Sequence, residues 1–235
     1  MAFAIAAPAF GTDSQSDIYD DVGTIAGTVG ELPDSGDISF YDVTENDWFY
    51  DAVMNAVAIG LFQGTSDYTF EPGMSMTRAM LAQVLANLGN VDLTEFQDAE
   101  ASFTDVPVDA WYFPAVEWAA EFRIIEGAEG NFSPERNVSR QEMAAMLFRY
   151  ANVHNVPLPD GEATNFRDQE LIAFWAEVEV AVISAAGIIQ GRPDGSFDPR
   201  SPVTRAEGAT VFMRFLDILN PITTYDTHND IYPNS

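Results

Sequence analysis

Three arginines lie where a cation can bind an anion and where helix stability alone would not place one. Each follows a loop with a Phe-x-Pro turn and a Thr or Ser that can cap the next helix. The three are Arg78, Arg140 and Arg205. A positive charge in the first helical turn opposes the helix dipole, at a cost of roughly 0.3–1 kcal/mol. Because the same helix end attracts anions, we interpret these side chains as anion binders, with surface charge copied by duplication as the alternative.

The charge of the whole chain sets these cations apart. The 235 residues include 37 acidic and 10 basic ones, for a net charge of −27, and every basic residue is Arg. Such a surface repels nucleic acids and anionic lipids, so we predict no nucleic-acid partner. No apolar run is long enough to span a bilayer, so we predict no membrane insertion. The absence of Cys removes disulfides and thiolate metal sites.

A repeat of the loop and its flanking helices positions the arginines. Each copy begins with Phe-x-Asp, continues to a Trp, and reaches the loop glycine 16 residues after that Trp. The apolar spacing predicts one helix between Trp and Gly, with the glycine as its stop signal, and another after the Arg. The repeats span 40–90, 103–153 and 166–217. A unit of about fifty residues buries little surface alone, so we predict a mainly α fold in which three helix–loop–helix repeats share one core as a pseudo-threefold trimer.

Three ordered copies of this pattern resemble the S-layer homology domain family. The copies read FYDV…W with MTRAM, FTDV…W with VSRQE, and FRDQ…W with VTRAE. The resemblance implies non-covalent anchoring of a secreted protein to the bacterial cell wall, with a secondary cell-wall polysaccharide as the ligand. The carboxylate of a pyruvate ketal on that glycan would be the bound anion. The chain would be a monomer at the cell surface; a self-assembling surface-layer protein without direct glycan binding is the alternative.

The resemblance also adds residues to the expected site. The repeated Trp would form a flat wall for a sugar ring, and the loop glycines would let backbone come close to the glycan. The expected carbohydrate-binding residues are Arg78, Arg140, Arg205, Trp48, Trp111, Trp175, Gly64, Gly127 and Gly191. Core packing of the Trp and helix capping by the glycines are the alternatives. Phe40, Phe103 and Phe166 are assigned to packing, and Asp42, Asp105 and Asp168 to turn or cap hydrogen bonds.

The repeats depart from one another at several positions. The first has Met80 where the other two have Glu, which removes one half of a capping box. The third has one extra residue before Trp175 and Gly208 inside its second helix. The second has Gln141 where the others have Ala. We therefore expect at least one groove to be inactive, with the motif of the first repeat the weakest.

Other function classes have little support in the sequence. There is no nucleophile elbow, phosphate loop or HExxH motif, so an enzyme is not expected. Residues 194–198 faintly resemble a calcium loop but lack its alternating ligands, so neither a metal nor a cofactor is expected. His154 and His228 fall in a linker and in the tail and are expected to be surface residues.

The two ends of the chain differ from the repeats in composition. Residues 1–39 are acidic and rich in small residues, which is typical of a flexible leader. The opening MAFAIAAPAFG resembles the end of a secretory signal peptide. Residues 218–235 are predicted to be an acidic tail.

Overall fold

The structure, a computed structural model, describes residues 39–162 and 164–219. The predicted leader, apart from its last residue, lies outside this range, as do His228 and all but two residues of the tail.

Each repeat forms two α-helices joined by an irregular loop. They are α1 (Tyr50–Ala58), α2 (Arg78–Leu88), α3 (Phe113–Glu121), α4 (Arg140–Val153), α5 (Glu177–Ala185) and α6 (Arg205–Leu219). Short 3₁₀ segments occur at Leu93–Phe96, Gln169–Leu171 and Phe174–Ala176. Within the described ranges, extended pairing is limited to isolated β-bridges. The mainly α, helix–loop–helix prediction is confirmed.

The helices pack in a cycle rather than in chain order. The first helix of each repeat packs on the second helix of the repeat before it: α3 on α2, α5 on α4, and α1 on α6. The contact between α1 and α6 joins the two ends of the repeat array. A single hydrophobic cluster contains residues from all three repeats, including the fully buried Phe70, Phe132 and Phe197. This is the contact pattern that a pseudo-threefold arrangement requires.

A closed cycle of backbone hydrogen bonds joins the three repeats just before their second helices. The Met76 amide donates to the Val203 carbonyl (2.8 Å), the Val203 amide to the Val138 carbonyl (3.0 Å), and the Val138 amide to the Met76 carbonyl (2.9 Å). All three residues are buried. Because a buried amide without a partner is costly, each repeat depends on its two neighbours to satisfy its backbone.

Gly208 is explained by a compensating change in another repeat. A Cβ at this position would overlap the Met76 sulfur, whereas the matching positions of the other repeats carry Leu81 and Met143. Met76, in turn, is larger than the Val138 and Val203 that complete the backbone cycle. A large residue from the first repeat therefore fills the space left by a small one in the third.

The loop glycines do not end the first helices, which corrects that prediction. The C-cap residues are Ile59, Phe122 and Ala186, several residues before the loop glycines. The glycines instead lie against the repeated Phe: a Cβ on Gly64 would be 2.7 Å from Cε1 of Phe40. The same overlap occurs between Gly127 and Phe103 and between Gly191 and Phe166. Glycine is needed here because an aromatic ring occupies the space of a side chain.

Candidate functional site

Three clefts lie between the repeats, and we number each by the repeat that supplies its loop and second helix. Groove 1 has a volume of about 600 Å³, groove 2 about 460 Å³ and groove 3 about 350 Å³. Groove 1 is lined by Arg205 and Trp111, groove 2 by Arg78 and Trp175, and groove 3 by Arg140 and Trp48. Each groove thus takes one of the arginines that begin the second helices from the preceding repeat and its Trp from the following one, so every groove needs all three repeats.

The repeated arginines join neighbouring repeats through hydrogen bonds to backbone carbonyls. Nε of Arg78 donates to the Phe132 carbonyl (2.8 Å), and its Nη2 donates to the Glu126 carbonyl (2.8 Å). Arg140 makes the matching bonds to Phe197 (2.7 Å) and Gln190 (2.7 Å). Arg205 does so to Phe70 (2.8 Å) and Gln63 (2.6 Å). One edge of each guanidinium is therefore committed to holding the loop of the next repeat.

Burial and aromatic contact complete this arrangement. The guanidinium carbons of Arg78, Arg140 and Arg205 lie 4.8, 5.1 and 4.3 Å from the ring centres of Phe132, Phe197 and Phe70, which is within cation–π distance. All three arginines are buried, and desolvation lowers their pKa below the ordinary value. They remain charged because arginine does not lose its proton in proteins.

The helix N-termini themselves are not open to an anion, which corrects the reason for which the arginines were selected. The amide of Arg78 donates to the Arg136 carbonyl (3.0 Å), that of Arg140 to Ser201 (3.0 Å), and that of Arg205 to Met74 (2.8 Å). The following helical amide in each case donates to a Pro carbonyl of the same neighbouring repeat. The guanidinium nitrogen that makes no hydrogen bond is Nη1, which has no partner among the described residues in Arg140 and Arg205 and lies 3.8 Å from Glu142 in Arg78.

The loops that receive the arginines are held by the repeated Asp. The Asp105 carboxylate accepts from the amides of Phe132 and Ser133, both at 2.7 Å. Asp42 and Asp168 accept the matching pairs in their own repeats, so the predicted turn hydrogen bonds are confirmed. The second amide of each pair belongs to a non-glycine residue with positive φ: Glu71 (55°), Ser133 (59°) and Asp198 (61°). The Asp thus stabilises a strained turn whose Phe carbonyl is the acceptor for the arginine.

The repeated Trp project into solvent and do not belong to the core. Trp48 is 69% exposed, Trp111 61% and Trp175 49%, whereas Trp118, outside the repeated position, is 3% exposed. Each of the three lines a groove opposite an arginine. Core packing, the alternative for these residues, is therefore wrong. Gly64, Gly127 and Gly191 also line grooves 1, 2 and 3, respectively.

Sequence reasoning missed a second set of groove arginines. Arg149 and Arg214, which are not among the site residues expected from the sequence, line grooves 2 and 3. Their shared position, nine residues after the motif Arg, was the signal that could have identified them. Arg136 and Arg192 line the same two grooves. Groove 1 has Asn87 at the position of Arg149 and Arg214, and Arg205 is the one arginine among the described residues in its lining.

Ion pairs neutralise some of these charges but not all of them. Arg136 forms a bidentate pair with Glu142, 2.6 Å at its shorter contact, and Arg149 lies 3.2 Å from Glu126. Arg192 pairs with Glu207 and lies 3.6 Å from Asp198. Arg214 has no carboxylate within ion-pair distance in the described part of the chain.

The grooves carry the opposite charge to the protein as a whole. Groove 1 is lined by one Arg and no acidic residue, groove 2 by three Arg and two Glu, and groove 3 by three Arg and one Glu. Seven of the ten arginines therefore line grooves that are each net positive, in a chain of net charge −27. The described residues contain no cluster of His, Asp and Glu suited to a metal ion. None of their helices has the length and apolar character needed to cross a membrane.

His154 departs from its expected place on the surface. It is the C-cap of α4 and half-buried, with its ring centre 4.3 Å from that of Tyr150. Its Nε2 is buried and has no hydrogen-bond partner among residues 39–162 and 164–219, and desolvation lowers the pKa of the imidazole.

Comparison with known proteins identifies the repeats. The sequence pattern of the S-layer homology domain matches residues 39–80, 102–144 and 165–209. The chain is 30% identical over 184 residues, 78% of its length, to an exoglucanase of Acetivibrio thermocellus. It is 29% identical over 185 residues, 79% of its length, to an S-layer protein of Bacillus thuringiensis subsp. finitimus, and 25% identical over 150 residues, 63% of its length, to a cellulosome-anchoring protein of Acetivibrio thermocellus.

These relatives are much longer than the matched region. The chain spans 17% of the exoglucanase, 22% of the S-layer protein and 33% of the cellulosome-anchoring protein. In this chain the three matches to the S-layer homology domain together cover more than half of the sequence. The chain belongs to the S-layer homology domain family and contains three consecutive modules of it, as the sequence predicted.

Proposed function

We propose that this chain anchors a protein to the bacterial cell surface by binding a carboxylate-bearing cell-wall polysaccharide in its inter-repeat grooves. Membership of the S-layer homology family, together with S-layer and anchoring proteins among the relatives, supports the cell-surface location. Enzymes also occur among the relatives, and the chain spans only 10–18% of those whose names state such an activity. An anchoring module joined to different partner domains accounts for both groups.

The observation that carries this proposal is the pairing of a net positive lining with an exposed Trp in every groove. Guanidinium groups form charge-assisted, often bidentate hydrogen bonds with carboxylates. An exposed indole provides a flat apolar face for a pyranose ring, and concave sites generally combine such a face with a few polar groups. A neutral glycan would not require a concentration of arginine in so acidic a chain.

Groove 3 has the lining best suited to the proposed anion. Among the described residues, Arg214 has no carboxylate within ion-pair distance, and Nη1 of Arg140 makes no hydrogen bond. Trp48 lines the same cleft. Groove 2 ranks second because Glu142 and Glu126 compete for its arginines.

Co-sedimentation with purified cell walls tests the proposal. We expect the protein to pellet with walls and to remain soluble after the secondary polysaccharide has been removed. The variant Arg149→Ala/Arg214→Ala should bind roughly tenfold or more weakly while keeping its melting temperature, since each arginine supplies a charge-assisted contact. Arg123→Ala is the matched control, because Arg123 is exposed and lies outside the grooves. Binding to polymer-free walls would instead indicate a peptidoglycan or protein partner.

A further inference from the structure

A smaller cleft adjoins groove 2 and shares Trp175, Arg136 and Glu142 with it. This side cleft adds Gln141, Arg200 and Pro202 to its lining and has a volume of about 220 Å³. That is below the roughly 300–1,000 Å³ of pockets that hold drug-sized ligands, and it suits a single sugar unit. Because Trp175 lines both spaces, a ligand in groove 2 can continue into the side cleft along the indole.

The side cleft contains a cation that no carboxylate of the described residues neutralises. Arg136 is occupied by its bidentate pair with Glu142, whereas Arg200 is exposed and has no acidic partner within ion-pair distance in the described residues. Arg200 directly follows Pro199. The residues that follow the matching prolines of the other repeats are Gly73 and Glu135, so only the third repeat places a cation here.

Two departures from the repeat pattern hold Trp175 at the junction of groove 2 and the side cleft. Gln141 is buried, and its Oε1 accepts a hydrogen bond from the Ala173 amide (2.9 Å), immediately before the 3₁₀ turn Phe174–Ala176 that contains Trp175. The other repeats have Ala at the position of Gln141 and lack the extra residue that precedes Trp175. The inserted residue and the glutamine that binds its segment therefore form one local adaptation rather than two defects.

We propose that the side cleft is a second subsite, in which Arg200 binds the acidic group of a further sugar on the same glycan. This rests on the proposed function, since groove 2 would hold the first acidic sugar. Arg200 would pair with a carboxylate or a phosphate, and Trp175 would contact both sugar rings. The other two grooves lack this extension because Gly73 and Glu135 cannot supply the cation.

The subsite is tested with ligands of defined size. Titration calorimetry would compare a pyruvylated N-acetylhexosamine with two disaccharides, one extended by glucuronic acid and one extended by an uncharged hexose. The wild-type chain should bind the glucuronic acid disaccharide roughly threefold to tenfold more tightly than the uncharged one, which corresponds to the net contribution of about one hydrogen bond. Arg200→Ala should remove that difference without altering monosaccharide binding, and Arg123→Ala should retain it. Equal affinity for the two disaccharides would overturn the proposal.

A direct titration separates the subsite from the function of the groove. The indole N–H signal of Trp175 would be followed by NMR during addition of methyl glucuronoside and, separately, of glucose 6-phosphate. A shift that Arg200→Ala abolishes supports the subsite, and the more effective acid identifies the group that it prefers. No shift with either acid would overturn the subsite even if the pyruvylated sugar binds. Absence of pyruvylated sugar binding, with the Trp175 response intact, would instead contradict the proposed function.

Discussion

Grooves 1 and 3 have the same construction and different linings. In both, a buried Arg from the preceding repeat donates to two loop carbonyls, and an exposed Trp from the following repeat faces it. Groove 3 has Arg192, Glu207 and Arg214 at positions where groove 1 has Thr65, Met80 and Asn87. The comparison separates two roles within one motif: the motif Arg assembles the repeats, and the variable positions around it set the charge available to a ligand.

The largest effect is expected from removing a buried arginine that joins two repeats. Arg140→Ala leaves the carbonyls of Phe197 and Gln190 without their buried donor and removes a cation from an aromatic face. We expect the free energy of unfolding to fall by about 2–5 kcal/mol. Arg214→Ala, on the half-buried wall of the same groove, should change it by about 0.5 kcal/mol or less. Urea denaturation of the two variants checks this, and similar losses of stability would contradict the separation of roles.

A second effect compares the glycines of two grooves. A Cβ on Gly127 would lie 2.5 Å from the Asn131 carbonyl oxygen and would overlap the Phe103 ring, whereas on Gly191 the nearest backbone atom, the Ser196 carbonyl oxygen, is 3.1 Å away. Gly127→Ala should therefore destabilise the protein by about 1–3 kcal/mol and Gly191→Ala by less. Thermal denaturation shows which variant loses more stability. A larger loss for Gly191→Ala would contradict the prediction that the shorter Cβ contact distance at Gly127 sets the cost.

A third change tests whether charge alone distinguishes the grooves. Asn87→Arg gives groove 1 the arginine that groove 3 has at Arg214. We expect a pyruvylated sugar to shift the Trp111 indole signal at roughly threefold to tenfold lower concentration than in the wild-type chain. Asn87→Gln is the control for the lost hydrogen bond to the Leu61 carbonyl (3.1 Å). An unchanged Trp111 response would mean that shape, rather than charge, sets the difference.

The smallest effect concerns pH and separates stability from binding. Burial lowers the pKa of His154, so below its unfolded value of about 6.5 the unfolded chain binds a proton that the folded chain does not. The contribution of His154 to stability should be constant well above that pH and should decline as pH falls below it, by up to about 1.4 kcal/mol at pH 5.5. His154→Gln should remove this slope. Glycan affinity should not change over this pH range, because the arginines stay charged. A decline of affinity in parallel with stability would contradict the separation of stability from binding.

The repeat pattern made much of the fold predictable from sequence. Period, helix positions, the Asp turns and the capping box of Thr204 with Glu207 all follow from local residue types, and the structure contains them. The composition of the grooves was not predictable in the same way. Each cleft takes its loop, its buried Arg and its Trp from three different repeats, which are distant in the chain. The composition of a cleft therefore depends on which repeats are neighbours in the fold.

Burial of the motif arginines was the main feature that local reasoning misplaced. An arginine at the start of a helix was interpreted as a binding residue for an external anion. Its acceptors are the carbonyls of Gln63 and Phe70 for Arg205, in a loop more than a hundred residues away. Met80 was expected to weaken the first repeat, yet it lines the groove that receives Arg205 of the third. A departure in one repeat therefore alters a site that belongs to all three.

The four Trp indoles allow the central claim to be tested in one titration. Trp48, Trp175 and Trp111 report on grooves 3, 2 and 1, and the buried Trp118 serves as the internal reference. On addition of a pyruvylated wall oligosaccharide, the Trp48 signal should shift first, Trp175 next and Trp111 last, while Trp118 stays fixed. A first response at Trp111, or binding of the glycan without a shift at any groove Trp, would contradict the account.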